Sequence, residues 1–218
     1  MLTFVDVGAH VGETARVVRS PRYRFERIHC LEPAAACWPA LEQLAAADAR
    51  VRVHRVGLAG QAGRRTLHAP GLAGATLFAD KPFRRPVEVQ PETVTVVRAR
   101  TWLARHVDPS ETLVLKLNCE GAEVEILDDL LETDWLQQAR SVMVDFDARK
   151  IPSLAGRVEE LRGLLAGLPV VYARDVMVGR THRERVGRWL ESVGLAQRRP
   201  LAEARFALRE LSQGRRPW

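Results

Sequence analysis

Leu2-Thr3-Phe4-Val5-Asp6-Val7-Gly8-Ala9-His10-Val11-Gly12-Glu13-Thr14-Ala15-Arg16-Val17-Val18-Arg19 decides the fold. A short apolar, β-branched run ends at an acidic residue, turns through two glycines and continues into residues of helical character. This is strand, turn, helix.

Working outward, Arg27–Leu31 reads as a second strand closed by Glu32-Pro33, followed by an Ala-rich helix over about 34–47. Val51–Val56 alternates as a third strand ending at Gly57. From Gly57 to about Pro91 the chain is rich in Gly, Pro and Arg and reads as loop with a hairpin, including a strand-like stretch at Gly63–His68. Val94–Ala99 is extended and Thr101–His106 a short helix. Thr112–Asn118 is the clearest buried strand of the second half and the fourth parallel one. A helix over about 122–131, a fifth strand at Ser141–Phe146, an amphipathic helix at Ser153–Leu168, a short strand at Val170–Ala173 and a helix at Thr181–Ser192 follow. Near the end, Leu195–Leu201 and Arg205–Leu211 read as extended, with helix over Ala202–Leu211 as the alternative. Strands alternating with helices through short connections predict an α/β fold, a doubly wound and mainly parallel Rossmann-like sheet. The expectation is one domain over 1–218, with substrate-side insertions at 57–91 and 146–180.

A hydrophobic fraction of 46% and a charged fraction of 28% exclude a disordered or fibrous chain. No apolar run has the length of a membrane span and no leader is visible, so a cytoplasmic protein without membrane association is expected. Cys30, Cys37 and Cys119 are odd in number and lack zinc-site spacing, which fits a reduced compartment. The net charge of +6 raises an acidic partner such as nucleic acid. Lysine, however, occurs only at 81, 116 and 150 while Arg and Ala abound, a composition bias that favours the bland explanation. The discriminating test is whether Arg64, Arg65, Arg84, Arg85, Arg198 and Arg199 gather beside the ligand mouth.

Ligands of such sheets sit beyond the carboxyl ends of the strands, where strand order reverses. Gly8 and Gly12 clear side chains from a close approach, amides near Gly12 can donate to a carboxylate, and Asp6 can meet a cationic amino group. That suits the methionine half of S-adenosylmethionine, which carries both charges. Glu32, 26 residues after Asp6, stands at the tip of strand two, where an acid accepts ribose hydroxyls. The Gly-x-x-x-Gly spacing disfavours a dinucleotide diphosphate. At the end of strand four, Lys116-Leu117-Asn118-Cys119-Glu120-Gly121-Ala122-Glu123 alternates so that Lys116, Asn118 and Glu120 share one side. Polar groups in a buried sheet need each other, a ligand or a substrate. The structural alternative pairs Lys116 with Glu123 and has Glu120 cap the next helix.

These three motifs, together with Val56-Gly57-Leu58-Ala59 and Gly63, resemble the FkbM family of class I methyltransferases over about residues 3–131. The resemblance implies a class I methyltransferase fold, S-adenosylmethionine as donor with S-adenosylhomocysteine as product, and O-methylation of a hydroxyl on a sugar or natural product. Cofactor contacts are expected from Asp6, Gly8, His10, Gly12, Glu13, Glu32, Gly57, Leu58 and Asn118. Among catalytic candidates, Glu120 leads as base, with Lys116 and Asn118 as orienting groups and no metal. The chain departs from the family in carrying Asn118 for its usual Asp, His10 for its usual Asn, and Leu103-Ala104 for its usual Leu-Asp. An amide is no base, so the catalytic assignments are the weaker ones.

His10 is read chiefly as a local hydrogen-bonding group, and Asp145 and Asp147 as acids that contact substrate or a metal ion or are simply solvated or paired with Arg. The remaining histidines lack ligand spacing. A chain beginning at strand one has no amino-terminal substrate cap, so acceptor contacts are expected from 57–91, 146–180 or a partner chain, a homodimer being the assembly considered. A small-molecule acceptor is favoured. The alternatives are an RNA or protein methyltransferase, nucleic acid being the disfavoured partner, and a non-catalytic cofactor-binding scaffold.

Overall fold

The computed structural model describes residues 1–197 and 199–214. In chain order the first half contains β1 (Leu2–Val7), α1 (Glu13–Val18), β2 (Arg27–Leu31), α2 (Trp38–Ala47), β3 (Val51–His54), β4 (Gly57–Ala59), β5 (Gly63–Leu67), β6 (Glu92–Arg98) and α3 (Ala99–His106). The second half contains β7 (Thr112–Leu117), α4 (Glu123–Leu131), α5 (Trp135–Gln138), β8 (Ser141–Val144), α6 (Ala155–Leu164), β9 (Val170–Tyr172), α7 (Ala173–Val176), α8 (His182–Ser192) and α9 (Pro200–Ser212). The main sheet runs β3-β2-β1-β7-β8-β9, with every neighbouring pair parallel. It is a doubly wound Rossmann-like sheet whose order reverses between β1 and β7.

Alternation along the central strands sets the two faces. Val5, Val7, Leu115 and Leu117 join a core with α3, α4 and α6, including Leu103, Ile126 and Leu161. Phe4 and Val114 face the other way, against Val18 of α1, Leu41 of α2 and Trp189 of α8. Trp189 is fully buried, and its indole N–H donates to Ser141 Oγ at 3.1 Å. α8 begins with a capping box in which Thr181 and Glu184 satisfy each other's backbone amides.

Three expectations need correction. β3 stops at His54, because Gly57–Ala59 leaves the main sheet and pairs with β6 in a small second sheet ordered β4-β6-β5. A Cβ at Gly57 would lie 3.3 Å from Val96 and 3.6 Å from Pro33, so the two small sheet strands pack closely there. Residues 146–180 hold α6 and the edge strand β9, so they form a crossover of the main sheet as well as a border of the ligand end.

The third correction is at the end of the chain, where 200–212 is helix and not a pair of extended segments. Ala, Leu, Glu and Arg favour helix, and Pro200 is tolerated in the first turn. One face then brings Phe206 and Glu210 onto Arg19, whose guanidinium lies 5.5 Å from the Phe206 ring and 3.1 Å from Glu210 Oε1. Among the described residues no antiparallel strand extends the main sheet, and no helix is long and apolar enough to cross a membrane.

Candidate functional site

The register pairs Asp6 with Lys116 on adjacent strands, so both side chains emerge on the α1 face at the carboxyl ends of β1 and β7. Lys116 Nζ donates to Asp6 Oδ1 at 2.6 Å and to the Gly8 carbonyl at 3.1 Å. The structural alternative for Lys116 is corrected here, since its partner is Asp6 and not Glu123. Asp6 is fully buried, and its second oxygen, Oδ2, has no partner among the described residues. Burial pushes the Asp6 carboxyl up, against the pull of Lys116. Beside this pair, Thr14 Oγ1 and His182 Nε2 lie 3.0 Å apart, tying α8 to α1.

Above the sheet the turn 8–12 bends through left-handed residues at Gly8, His10 and Gly12. A Cβ on Gly8 would sit 2.0 Å from the Asn118 carbonyl, whereas one on Gly12 would strike Leu44 at 2.5 Å. Gly8 therefore lets the loops after β1 and β7 approach each other, and Gly12 serves helix packing. Glu32 fixes the turn by accepting the His10 amide at 2.8 Å and the Ala34 amide at 2.9 Å, and burial raises its pKa. The His10 ring spans Glu13 Oε1 at 3.1 Å and the Gly71 carbonyl at 3.2 Å, a local bonding role.

A cavity of about 170 Å³ opens at this end of the sheet. Val7, Gly8, His10, Glu32, Gly57 and Leu58 form its floor and one wall, and Asn118, Cys119 and Glu120 form another. The stretch from Gly71 to Leu77 roofs it, together with Leu67. Glu120 has a left-handed backbone, with φ 55°, and its carbonyl accepts Thr76 Oγ1 at 2.6 Å. Its carboxylate pairs with Lys81, whose Nζ also donates to the Gly74 carbonyl at 2.8 Å. Glu123 faces inward instead, accepting the Gly121 amide at 2.7 Å and the Ala148 amide at 2.8 Å, and burial pushes its carboxyl up to about 7. Asp147 is buried and paired with Lys150.

The cavity thus gathers Gly8, His10, Glu32, Gly57, Leu58, Asn118 and Glu120. Asp6 and Lys116 lie beneath it, while Gly12 and Glu13 stand outside its lining. Sequence reasoning did not single out Lys81, Thr76, Cys37 or the Gly71–Leu77 roof, although it did assign acceptor contacts to 57–91. Nor did it foresee that His29, His54 and His106 meet around Trp102, on β2, β3 and α3.

The arginines do not form one patch. Arg65 is paired with Glu125 and lies over Phe78. Arg84 and Arg85 are exposed in the stretch after Lys81. Arg199 borders a hollow with Leu2 and Thr112, at the amino ends of the strands and opposite the cavity. Arg198 lies outside the described residues.

No curated protein matches the chain. Among solved structures, 76% of the chain is similar to the crystal structure of a methyltransferase FkbM from Methylobacillus flagellatus, at 17% identity and a TM-score of 0.49. The chain spans 37% of that protein. The model of the methyltransferase FkbM domain matches residues 6–166, nearly three quarters of the sequence, and the chain belongs to that family.

Proposed function

We propose that the chain is an S-adenosylmethionine-dependent O-methyltransferase whose acceptor is a hydroxyl of a small molecule, a sugar or natural product. The observation that carries this reading is the cavity at the β1/β7 reversal, with Gly8, Glu32, Gly57 and Asn118 on its surface. The residues fit the cofactor. Gly8 lines the cavity with bare backbone, Glu32 presents a carboxylate to it, and beneath it Asp6 Oδ2 is a buried acceptor without a partner among the described residues.

Glu32 would hold the ribose, Gly57 and Leu58 the adenine edge, and Gly8, His10 and Asn118 the methionine end. When bound, the cofactor supplies a methyl group on a sulfonium, an electrophile that needs an aligned nucleophile more than a strong base. On the acceptor side Glu120 would take the hydroxyl proton, and the Asn118 amide would orient the hydroxyl. The Gly71–Leu77 roof excludes water from the reacting atoms. Lys116 acts from below by pinning Asp6 and the Gly8 carbonyl.

Calorimetric titration with S-adenosylmethionine and S-adenosylhomocysteine tests this, with Glu32→Ala and a nicotinamide dinucleotide as controls. Saturable binding that weakens at least about tenfold in Glu32→Ala supports the reading, since the loss of one charge-assisted contact is of that order. Labelled methyl transfer to a panel of sugar and natural-product hydroxyls then identifies the acceptor. Absence of binding to the folded protein overturns the reading, and binding without transfer to any acceptor favours a scaffold.

A further inference from the structure

We propose that Lys81 is a positioning residue for Glu120: it rides on the loop that roofs the cavity and holds the acceptor-side carboxylate in place only while that roof is closed. This rests on the reading of Glu120 as the group that receives the acceptor proton.

The cavity, at about 170 Å³, is smaller than the roughly 300–1,000 Å³ typical of small-molecule sites. A ligand the size of a nucleoside derivative therefore requires the roof to swing outward. That roof is held by few contacts. His68 and Thr76 pair through their backbones, and the Gly71 carbonyl meets the His10 ring. Asp80 accepts the Ser153 amide at 2.8 Å and Leu77 packs against the core, while two further closing contacts converge on Glu120, with Thr76 Oγ1 on its carbonyl and Lys81 on its carboxylate. Gly71 and Gly74 adopt left-handed φ of 79° and 99°, which supplies the bends.

Lys81 is only 7% exposed although it lies in a loop. An ammonium at that depth is tolerable because a carboxylate and a carbonyl receive it. The groups facing Glu120 are Lys81 from the roof, Asp147 and Lys150 from the turn after β8, and the neighbouring Cys119 thiol. Burial works against ionisation of Glu120, as does Asp147, while Lys81 favours the carboxylate. Lifting the roof withdraws that cation and leaves Glu120 beside Asp147, which works against its ionised, proton-accepting form. Base and roof are thereby one device, and the acceptor is deprotonated only where water has been expelled.

The test follows the Glu120 carboxyl by carbon-13 NMR in the full chain, its resonance assigned by its loss in Glu120→Gln. Its titration midpoint should rise by about one pH unit in Lys81→Met and return close to wild type in Lys81→Arg. Trypsin cleavage after Arg84, the Arg85–Pro86 bond being resistant, should be about tenfold faster in Lys81→Met and Glu120→Gln than in wild type, and near wild type in Lys81→Arg. A midpoint unmoved in Lys81→Met overturns the proposal, and so does cleavage unchanged in Glu120→Gln, a variant that keeps the lysine. Calorimetry with S-adenosylhomocysteine on the same wild-type sample keeps the two readings apart: failure to bind overturns the proposed function, while the titration still decides the coupling.

Discussion

Lys116 and Asp6 are both buried, and each is the other's charged partner across adjacent strands. Removing one partner leaves the other charge uncompensated in the interior, so Lys116→Met should destabilise the fold by about 3–5 kcal/mol in denaturant unfolding. The double change Lys116→Met with Asp6→Leu should recover much of that loss, because it removes the stranded charge. Asp6, Glu32 and Asn118 were legible in the sequence because strand tips fix position and alternation fixes the side. Lys81 was not, since it lies in an aperiodic stretch where spacing predicts nothing. Composition nevertheless held a signal. Each of the three lysines in this arginine-biased chain pairs with a carboxylate near the carboxyl end of the sheet, with Asp6, Glu120 and Asp147 as partners.

β2, β3 and α3 meet through imidazoles. His29 Nδ1 lies 2.9 Å from His54 Nε2, and His106 stacks on Trp102 with ring centroids 4.6 Å apart. Burial lowers His29 to about 3 and His54 to about 4, and the neighbouring imidazole and arginine charges add to the effect. Unfolded histidines titrate near 6.5, so the unfolded chain binds more protons than the folded one between about pH 6.5 and 3. The stability these neutral rings contribute is complete above pH 6.5 and is lost as pH falls through that window. Thermal midpoints measured from pH 7.5 to 4 should fall more steeply in wild type than in His54→Gln; equal slopes would remove the histidines from the explanation. Sequence reasoning saw β2, β3 and α3 separately, but nothing in their spacing announced the contact. The carboxyl terminus, read first as extended with helix as the alternative, is instead helix, its residue propensities reinforced by the contacts of Phe206 and Glu210 with Arg19.

At the scale of the whole molecule, a ligand that binds only the folded chain stabilises it by mass action. S-adenosylhomocysteine at one hundred times its Kd should add about 2.7 kcal/mol and raise Tm by about 5–10 °C for a chain of this length. Differential scanning fluorimetry checks this, and a shift retained in Glu32→Ala would locate the binding elsewhere. The parallel sheet was legible because buried strands and intervening helices differ in period; of the second sheet, Gly63–His68 and Val94–Ala99 read as extended, but not their pairing across the long connection from 68 to 91 nor the three-residue β4. The central position of β1 has a consequence for how the protein is made. It is the first strand of this sheet to leave the ribosome, yet one of its two edges waits for β7, whose Lys116 follows Asp6 by 110 residues. At about 5–20 residues per second that delay lasts roughly 5–20 s, during which the nascent chain carries an open apolar strand edge and an unneutralised Asp6. Slowing translation between residues 20 and 110 should therefore lower the yield of soluble protein, whereas slowing it after residue 120 should not.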